Sequence, residues 1–436
     1  MAKINTRDLV LEILLLVTRD GQYSHIAQNQ VLGKYQYLDK SERAFITRVT
    51  EGTLERMLEL DYIIDQFSKV KVKKMKPVIR NIIRSAVYQL KYMDGVPDSA
   101  VCNEAVKLAV ARGFGGLRGF VNGVLRTVAR NLDTVSYPEP GTLAWLSVVY
   151  SMPEWIIRQW MQTYSRETVE KMLQNFLCEK PTSIRCNLSR TTKEALRDRL
   201  IKEGVDVREI PDIPEAFLIS GYDYLGALES FREGDFQVQD ISSMRVARWA
   251  DPKKGDYIID VCAAPGGKAL HLADMMGGTG MVEARDISAY KVGLIEENIR
   301  RTGISNIKAV CMDATVPDEG SLEKADIVVA DLPCSGLGVI GRKSDLKYRM
   351  TPEAQSELAA LQREILTVVS RYVKPGGKLL YSTCTVDRME NEENTAWFLR
   401  EFPDFRIGAE EQILPGSQAG DGFYIALFHK KEKEVR

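Results

Sequence analysis

The chain has 436 residues, of which 44% are apolar and 27% charged, enough for two or three folded domains and unlike a disordered protein. The apolar runs are much shorter than the roughly 20 residues of a membrane-spanning helix, and the first residues lack the pattern of a signal peptide. Seven cysteines are scattered and odd in number. We therefore expect no disulfide framework and a reducing, cytoplasmic environment.

The net charge of −1 conceals an uneven distribution. Residues 1–140 carry 21 Lys and Arg against 15 Asp and Glu, and residues 69–91 contain eight basic residues and no acidic one. A basic stretch without interleaved acids is typical of a surface that binds a polyanion, with a solvated helix face as the alternative. The predicted basic patch consists of Lys69, Lys71, Lys73, Lys74, Lys76, Arg80 and Arg84.

The first part of the chain, residues 1–137, is predicted to be an all-α domain because its apolar residues recur at helical spacing. Prolines and a glycine at 138–141 predict a linker, and a further helical stretch follows. Residues 181–210 then alternate like two strands around a helix. Residues 138–234 are therefore predicted to form a helical linker with a small α+β module.

Residues 235–436 are predicted to form a doubly wound parallel sheet, because strands and helices alternate regularly from about residue 255. The helix that begins at Pro352 is expected to be capped by Thr351, and a turn is expected at 374–377. Two strands near the end, at 405–407 and 423–429, lack a helix between them and predict an antiparallel edge hairpin. The other predicted strands are 257–261, 280–286, 307–312, 327–331 and 378–384.

A nucleotide-like ligand is expected beside the segment DVCAAPGGK at 260–268, which leaves a strand and opens a helix through two glycines. It matches neither the G-x-G-x-x-G nor the P-loop pattern, so a pyrophosphate ligand is disfavoured. Asp286 and Asp313 end the next two strands, where carboxylates can hold ribose hydroxyls and an adenine amino group. Together these residues predict an adenosine pocket without phosphates.

Two cysteines follow strand ends, Cys334 in DLPCSG at 331–336 and Cys384 in STCT at 382–385. Parallel strands end at one edge of a sheet, so both thiols are expected at the ligand edge. Zinc is disfavoured because there is no CxxC pair and the chain has only three histidines. His271 is expected on a helix surface, and buried, inert positions are expected for Cys102, Cys178, Cys186 and Cys311.

The ordered set FQVQD, DVCAAPGGK, DLPCSG and STCT closely resembles the RNA cytosine-5 methyltransferases that use S-adenosylmethionine, from Phe236 to the end. The basic front part, with NEAV at 103–106 and GFVNGVLR at 119–126, resembles NusB-type RNA-binding domains. The combination is similar to bacterial enzymes that methylate one cytosine of 16S rRNA, cytosine 967 in the family's numbering. It implies a NusB-like domain, an α+β module and a Rossmann-like class I methyltransferase domain.

The resemblance also implies roles for individual residues. Cys384 would be the nucleophile, Cys334 would assist proton removal and product release, and Asp331 would favour protonation of the base. DNA cytosine methyltransferases instead use a Pro-Cys cysteine, which Pro333 and Cys334 also offer. The residues implied to hold S-adenosylmethionine are Cys262, Ala263, Ala264, Pro265, Gly266, Gly267, Lys268, Asp286, Asp313 and Asp331.

The implied partner is 16S rRNA, bound by a monomer without a metal ion. The basic loop at 341–349 is expected to contact RNA, with a solvated loop as the alternative. Other functions stay open on the sequence: methylation of tRNA or large-subunit rRNA, a non-catalytic RNA-binding assembly factor, and a nicotinamide oxidoreductase. The missing dinucleotide glycines disfavour the oxidoreductase.

Overall fold

The computed structural model describes residues 5–35, 37–417 and 420–433. The chain divides into two compact units. One comprises Met1–Cys178 and Ile340–Arg349, and the other comprises Glu179–Val339 and Met350–Arg436. No helix of the described residues is both long and apolar enough to cross a membrane.

The secondary structure of the described residues is numbered in chain order. The α-helices are α1 (Thr6–Thr18), α2 (Ser24–Leu32), α3 (Lys40–Glu55), α4 (Met57–Phe67), α5 (Pro77–Tyr92), α6 (Asp98–Ala111), α7 (Arg118–Asn131), α8 (Leu143–Val149), α9 (Glu154–Trp160), α10 (Arg166–Phe176), α11 (Lys193–Lys202), α12 (Glu229–Arg232), α13 (Ile241–Ala250), α14 (Gly267–Met275), α15 (Ala289–Thr302), α16 (Leu346–Arg349), α17 (Pro352–Val369) and α18 (Glu392–Glu401). The β-strands are β1 (Thr182–Cys186), β2 (Asp206–Glu209), β3 (Ala216–Ser220), β4 (Phe236–Val238), β5 (Tyr257–Asp260), β6 (Met281–Asp286), β7 (Ile307–Cys311), β8 (Ala325–Asp331), β9 (Val373–Thr383), β10 (Phe405–Ile413) and β11 (Phe423–Lys430).

The first unit is helical, as its apolar periodicity predicts. The Asn5 side chain accepts a hydrogen bond from the Arg7 backbone and caps α1, and Pro77 stands in the first turn of α5, where its missing N–H costs nothing. The apolar stripes of α1 and α5 pack into one core. Buried members of this core are Leu9, Val10, Ile13, Leu14, Ile79, Ile82, Ile83, Ala86 and Val87.

The segment Ile340–Arg349 packs within the helical unit, and the expectation that it contacts RNA is wrong for its central residues. The carboxylate of Asp345 accepts hydrogen bonds from the Ser24 backbone at 3.2 Å and the Ser24 hydroxyl at 2.6 Å, at the start of α2. Lys347 is 2% exposed, and its Nζ donates to the Glu55 carbonyl at 2.8 Å. These groups serve packing and helix capping, which the charge pattern alone did not reveal.

The second unit contains two sheets. The smaller is antiparallel in the order β2-β3-β1-β4, with α11 beside it, and forms the predicted α+β module. The larger has the order β10-β11-β9-β8-β5-β6-β7, in which β9, β8, β5, β6 and β7 are parallel. The doubly wound sheet and the antiparallel edge hairpin β10–β11 are thereby confirmed.

Two boundaries differ from the sequence prediction. The expected turn at 374–377 lies inside β9, where Gly376 has φ +76° and the pairing with β8 shifts between Ala325 and Ile327. A glycine bulge therefore continues the strand instead of ending it. The strand predicted at 405–407 extends to Ile413 because β11 offers a ladder along its whole length.

Several side chains also differ from expectation. His271 is 1% exposed, and its Nε2 lies 3.5 Å from Glu215 Oε1, so it is a core residue and not a surface one. Burial is the main reason that its pKa is lowered to about 4, which keeps the imidazole neutral. Cys102 and Cys186 are buried as expected, whereas Cys178 and Cys311 are exposed.

Candidate active site

The predicted site residues meet at the carboxyl ends of the parallel strands. Asp260 ends β5, Asp286 ends β6 and Asp331 ends β8, while Cys384 follows β9 directly. In the ladder Asp331 is paired with Ser382. The two cysteine motifs therefore follow neighbouring strand ends, in the crevice where open α/β sheets bind their ligands.

The loop at 262–268 connects β5 to α14. Gly266 has φ +102°, a left-handed conformation that favours glycine, and a Cβ added there would lie 3.4 Å from Ile295 Cγ2. The Ala264 N–H donates to Asp286 Oδ2 at 3.1 Å, so the loop is fixed to the end of β6. The tight turn brings backbone N–H groups and the helix start to the place where a ligand would lie.

Two predicted adenosine-binding acids stand at adjacent strand ends. Asp286 is buried, and its Oδ1 accepts from the Ile287 N–H at 2.9 Å and lies 3.2 Å from the Lys291 ammonium. Asp313 follows β7, and its Oδ1 accepts from the backbone and hydroxyl of Thr315, which lower its pKa. Both carboxylates are held in place, and each retains lone pairs for ligand hydroxyl or amino groups.

Asp260 opens the segment at 260–268 that the sequence analysis predicted to lie beside a ligand, but no role of its own was predicted for it. It is 1% exposed, and neither carboxylate oxygen has a hydrogen-bond partner of good geometry among the described residues. Burial, and then the nearby charge of Asp331, raise its pKa to about 7, and the Lys268 charge and the Cys262 N–H offset this rise only in part. A buried carboxylate that is so weakly compensated fits a cationic ligand group such as the ammonium of S-adenosylmethionine. The available signal was an acid that closes an apolar strand directly before the glycine loop.

Asp331 is held from two sides. Its Oδ2 accepts from the Lys268 ammonium at 2.7 Å, and its Oδ1 accepts from the Ser382 hydroxyl at 2.7 Å. Burial acts to lower the pKa of Lys268, but the charge and hydrogen bond of Asp331 outweigh it and raise the pKa above its ordinary value. Lys268 is therefore a permanent cation that links the glycine loop to the cysteine loops.

The two predicted cysteines lie together, with 3.3 Å between Cys334 Sγ and Cys384 Sγ. Both are half-buried. The hydrogen bond with Cys384 and burial raise the pKa of Cys334 well above its ordinary value. The raised pKa favours the protonated form of Cys334, and its sulfur lies within hydrogen-bond distance of the Cys384 sulfur.

The backbones of the two cysteine loops are also joined. Gly338 N–H donates to the Cys384 carbonyl at 3.0 Å, and Leu332 N–H donates to the Ser382 carbonyl at 3.0 Å. A Cβ on Gly338 would come within 2.1 Å of the Gly422 carbonyl oxygen, so only glycine allows this approach. The distance between the thiols is consequently set by the sheet and its loops together.

The basic patch lies on the helical unit, where its five lysines are exposed and Arg80 is half-buried. Arg84 is 7% exposed and makes a bidentate ion pair with Asp61 of α4, with N–O distances of 2.6 and 2.5 Å. Its assignment to an RNA-binding patch is therefore wrong, because its guanidinium already has a carboxylate partner. The sequence stretch shows no acid nearby, since Asp61 lies on another helix.

Comparisons with known proteins agree with this architecture. Family models match three stretches: the NusB family at 4–130, an RsmF/B-like ferredoxin-like domain at 152–222, and 16S rRNA methyltransferase RsmB/F at 247–429. A probable ribosomal RNA small subunit methyltransferase B from Bacillus subtilis (strain 168) is 36% identical, covering 99% of this chain and 100% of its own. The chain belongs to the 16S rRNA methyltransferase RsmB/F family.

Other relatives extend the match over the whole chain. A second probable ribosomal RNA small subunit methyltransferase B, from Synechocystis sp. (strain ATCC 27184 / PCC 6803 / Kazusa), is 32% identical over 98% of this chain and 100% of its own. The crystal structure of PH0851 superposes with a TM-score of 0.84 at 25% identity, covering 99% of each chain. The predicted NusB-like helical part, α+β module and methyltransferase fold are thus confirmed for this RsmB/F family chain.

Proposed function

We propose that the protein transfers a methyl group from S-adenosylmethionine to carbon 5 of one cytosine in 16S rRNA, cytosine 967 in the family's numbering. The observation that carries the proposal is the pair of thiols 3.3 Å apart, on strand ends beside a glycine loop without phosphate-binding features. The names of the full-length relatives, small subunit rRNA methyltransferases, support the substrate.

Carbon 5 of cytosine is a weak nucleophile, so the reaction needs a covalent activator. The Cys384 thiolate adds to carbon 6, a C–S bond forms, and the electron pair of the double bond becomes available at carbon 5. Two neighbours favour the thiolate: the Cys334 S–H, and Lys268, on whose ammonium Cys384 acts electrostatically. The Asp331 carboxylate accepts a hydrogen bond from the protonated ring nitrogen or the amino group of the base, which stabilises the positive charge that develops there.

When bound, S-adenosylmethionine supplies the methyl group that carbon 5 takes. The loop at 262–268 would hold it, Asp286 and Asp313 would accept from its adenosine, and Asp260 would face its ammonium. The weakly compensated carboxylate of Asp260 and the left-handed turn at Gly266 both fit such a ligand.

The second half of the reaction restores aromaticity. The proton passes from carbon 5 to solvent, its bonding pair re-forms the double bond, and the C–S bond to Cys384 breaks, returning the thiolate. Cys334 assists this step at the neighbouring position. The cytosine must leave its stack to reach the thiols, and the exposed lysines of the basic patch would hold the surrounding phosphate backbone.

RNA that carries 5-fluorocytidine tests the cysteine assignment, because fluorine cannot leave carbon 5 as a proton does. Wild-type protein and Cys334→Ala should give an RNA–protein adduct that survives denaturing electrophoresis, and Cys384→Ala should give none. With ordinary RNA, Cys334→Ala should accumulate the adduct because release is impaired. An adduct formed by Cys384→Ala and lost in Cys334→Ala would assign the nucleophile to the Pro-Cys cysteine instead.

A further inference from the structure

Glu390 has a buried carboxylate that is not one of the reacting groups but contacts the residues that follow the cysteines. Glu390 lies in the turn between β9 and α18 and is completely buried. Its Oε2 accepts from the Ser335 N–H at 2.9 Å, and its Oε1 accepts from the Ser335 hydroxyl. Ser335 directly follows Cys334 in the chain, so the carboxylate grips the loop that carries this thiol.

The same contact reaches the second cysteine. The Ser335 hydroxyl lies 2.7 Å from the Thr385 hydroxyl, and Thr385 directly follows Cys384. The Thr385 hydroxyl also accepts from the Leu337 N–H at 3.3 Å. One carboxylate, which lies on the same connection as Cys384 but beyond it, therefore organises the residues that follow both thiols.

We propose that Glu390 is the positioning residue that holds the Cys334 loop against the Cys384 loop in the geometry needed for catalysis. The inference rests on the proposed function, since it takes the two cysteines as the catalytic pair. Glu390 acts on the thiols through its hydrogen bonds to Ser335 and, beyond it, through Thr385.

The donors around Glu390 match an ionised carboxylate. Ser335 supplies two donors and Gln362 of α17 a third, at 2.9 Å. These three donors point at the two oxygens of the Glu390 carboxylate. If Glu390 were protonated, its O–H would find no acceptor here unless the Ser335 hydroxyl rotated. A buried charge at this position lowers the stability of the fold relative to an apolar side chain of similar size. Its benefit is that it gives the two cysteine loops fixed hydrogen-bond partners.

The charge of Glu390 also acts on Cys334. Burial, and then Asp387, raise the pKa of Glu390 to about 7, and the Glu390 charge contributes to the raised pKa of Cys334. Above pH 7 the carboxylate is ionised, and it then both fixes the Ser335 donors and disfavours a Cys334 thiolate. The side chains facing Glu390 from other elements are Ser335, Gln362, Tyr381 and Asn394, and the titratable groups near it are Asp387, Cys334 and Tyr381.

The experiment compares Glu390→Gln, Glu390→Ala and a control, Glu393→Gln, whose side chain is exposed in the first turn of α18. Iodoacetamide labelling of each cysteine in the full chain is followed by peptide mass spectrometry from pH 6 to 9.5. At each pH in this range, Cys334 of Glu390→Gln should be labelled up to about 10-fold faster than in the wild type, because the loss of a neighbouring negative charge favours the thiolate. Glu393→Gln should follow the wild type.

Turnover on 16S transcript gives the second readout. Glu390→Ala should lose about 10- to 100-fold in kcat, with KM for S-adenosylmethionine within twofold of the wild type, because misplaced loops affect chemistry and not cofactor binding. Glu390→Gln should be less impaired and at least as stable as the wild type at pH 8. A merely structural glutamate would instead show lower stability with an unchanged Cys334 profile.

The proposal is overturned if the Cys334 labelling profile of Glu390→Gln coincides with the wild type, or if folded Glu390→Ala keeps the wild-type kcat. Labelling needs no RNA substrate. A shifted profile in a protein that methylates no RNA would therefore refute the proposed function and keep this inference as a statement about the thiol pair.

Discussion

At the residue scale, the site is defined by how each buried charge is balanced. Asp331 has Lys268 and Ser382 as donors, whereas Asp260 has no donor of good geometry among the described residues and is only partly compensated by the Cys262 N–H. An unbalanced buried carboxylate is costly unless a ligand supplies the missing donor. We therefore expect Asp260 to contribute to cofactor binding and not to the stability of the unliganded protein.

Cofactor affinity should depend on pH through Asp260, whose pKa is about 7 without ligand. The carboxylate is ionised above this pH and attracts the ligand ammonium, so the Kd of S-adenosylmethionine should weaken several-fold as pH falls from 8 to 6. Titration calorimetry measures this directly. In Asp260→Asn the dependence should flatten, and an Asp260→Asn protein with the full wild-type pH dependence would refute the role of this carboxylate.

The motif residues could be predicted from sequence because their spacing fixes which strand end each one follows. Cys334 and Cys384 were expected at one edge, and the structure brings their sulfurs to 3.3 Å. No role was predicted for Asp260 or Glu390, since the burial of a single acid depends on neighbours far away in the chain. The prediction that Arg84 belongs to an RNA-binding patch was wrong for the same reason, because its partner Asp61 lies on another helix.

At the element scale, the segment Ile340–Arg349 differs most from its sequence pattern. Its basic residues indicated an RNA-binding loop, yet Lys347 is buried and donates to the Glu55 carbonyl. A long side chain can bury its stem and ammonium together when a carbonyl is available, and charge patterning alone does not report this. The β9 bulge is a similar case, because a Pro-Gly-Gly sequence also fits a strand that shifts register.

The buried ammonium predicts a measurable stability effect. Burial lowers the pKa of Lys347 to about 7, so the unfolded chain binds more protons than the folded chain between pH 7 and its ordinary value of 10.5. Stability contributed by this site therefore rises with pH across that window, by up to about 1.4 kcal/mol per pH unit. Lys347→Met, which carries no charge, should lack this rise.

The check is chemical unfolding followed by circular dichroism at pH 7, 8.5 and 10. Lys347→Met should gain most relative to the wild type near pH 7 and least at pH 10. Lys343→Met, a change at an exposed lysine of the same segment, should show a constant difference. Parallel pH curves for Lys347→Met and the wild type would show that Lys347 keeps an ordinary pKa.

At the scale of the whole molecule, the chain forms two compact units. The helical unit has the exposed lysines of the basic patch, and the α/β unit has the two thiols of the candidate active site. The order of a helical, an α+β and an α/β part was predictable from the apolar periodicity, whereas their families were indicated by the resemblance of their motifs. The predicted limits at 137 and 234 stay a prediction. That the segment Ile340–Arg349 belongs to the helical unit could not be foreseen, because this pairing is between residues about 300 positions apart.

The basic patch should contribute salt-sensitive RNA affinity. Reversing Lys73, Lys74 and Lys76 to Glu should weaken binding of 16S transcript and reduce the slope of log K against log salt by about 2, since each lost phosphate contact removes about 0.7–0.9. Filter binding from 50 to 300 mM salt measures both quantities. An unchanged slope would mean that these lysines form only a solvated face.

In a matched control, three exposed lysines of the α/β unit that make no ion pair among the described residues are changed to Glu. This variant should leave the slope of log K against log salt nearly unchanged. The three control positions are Lys202, Lys254 and Lys324.

The central claim is methyl transfer to one cytosine of 16S rRNA, and one measurement tests it most directly. The protein is incubated with methyl-labelled S-adenosylmethionine and unmodified 16S transcript, and the digested RNA is mapped by mass spectrometry, with Cys384→Ala in parallel. The account predicts 5-methylcytidine at a single position with the wild type and none with the variant. Label on tRNA or large-subunit rRNA only, or no 5-methylcytidine although the cofactor binds, would contradict it.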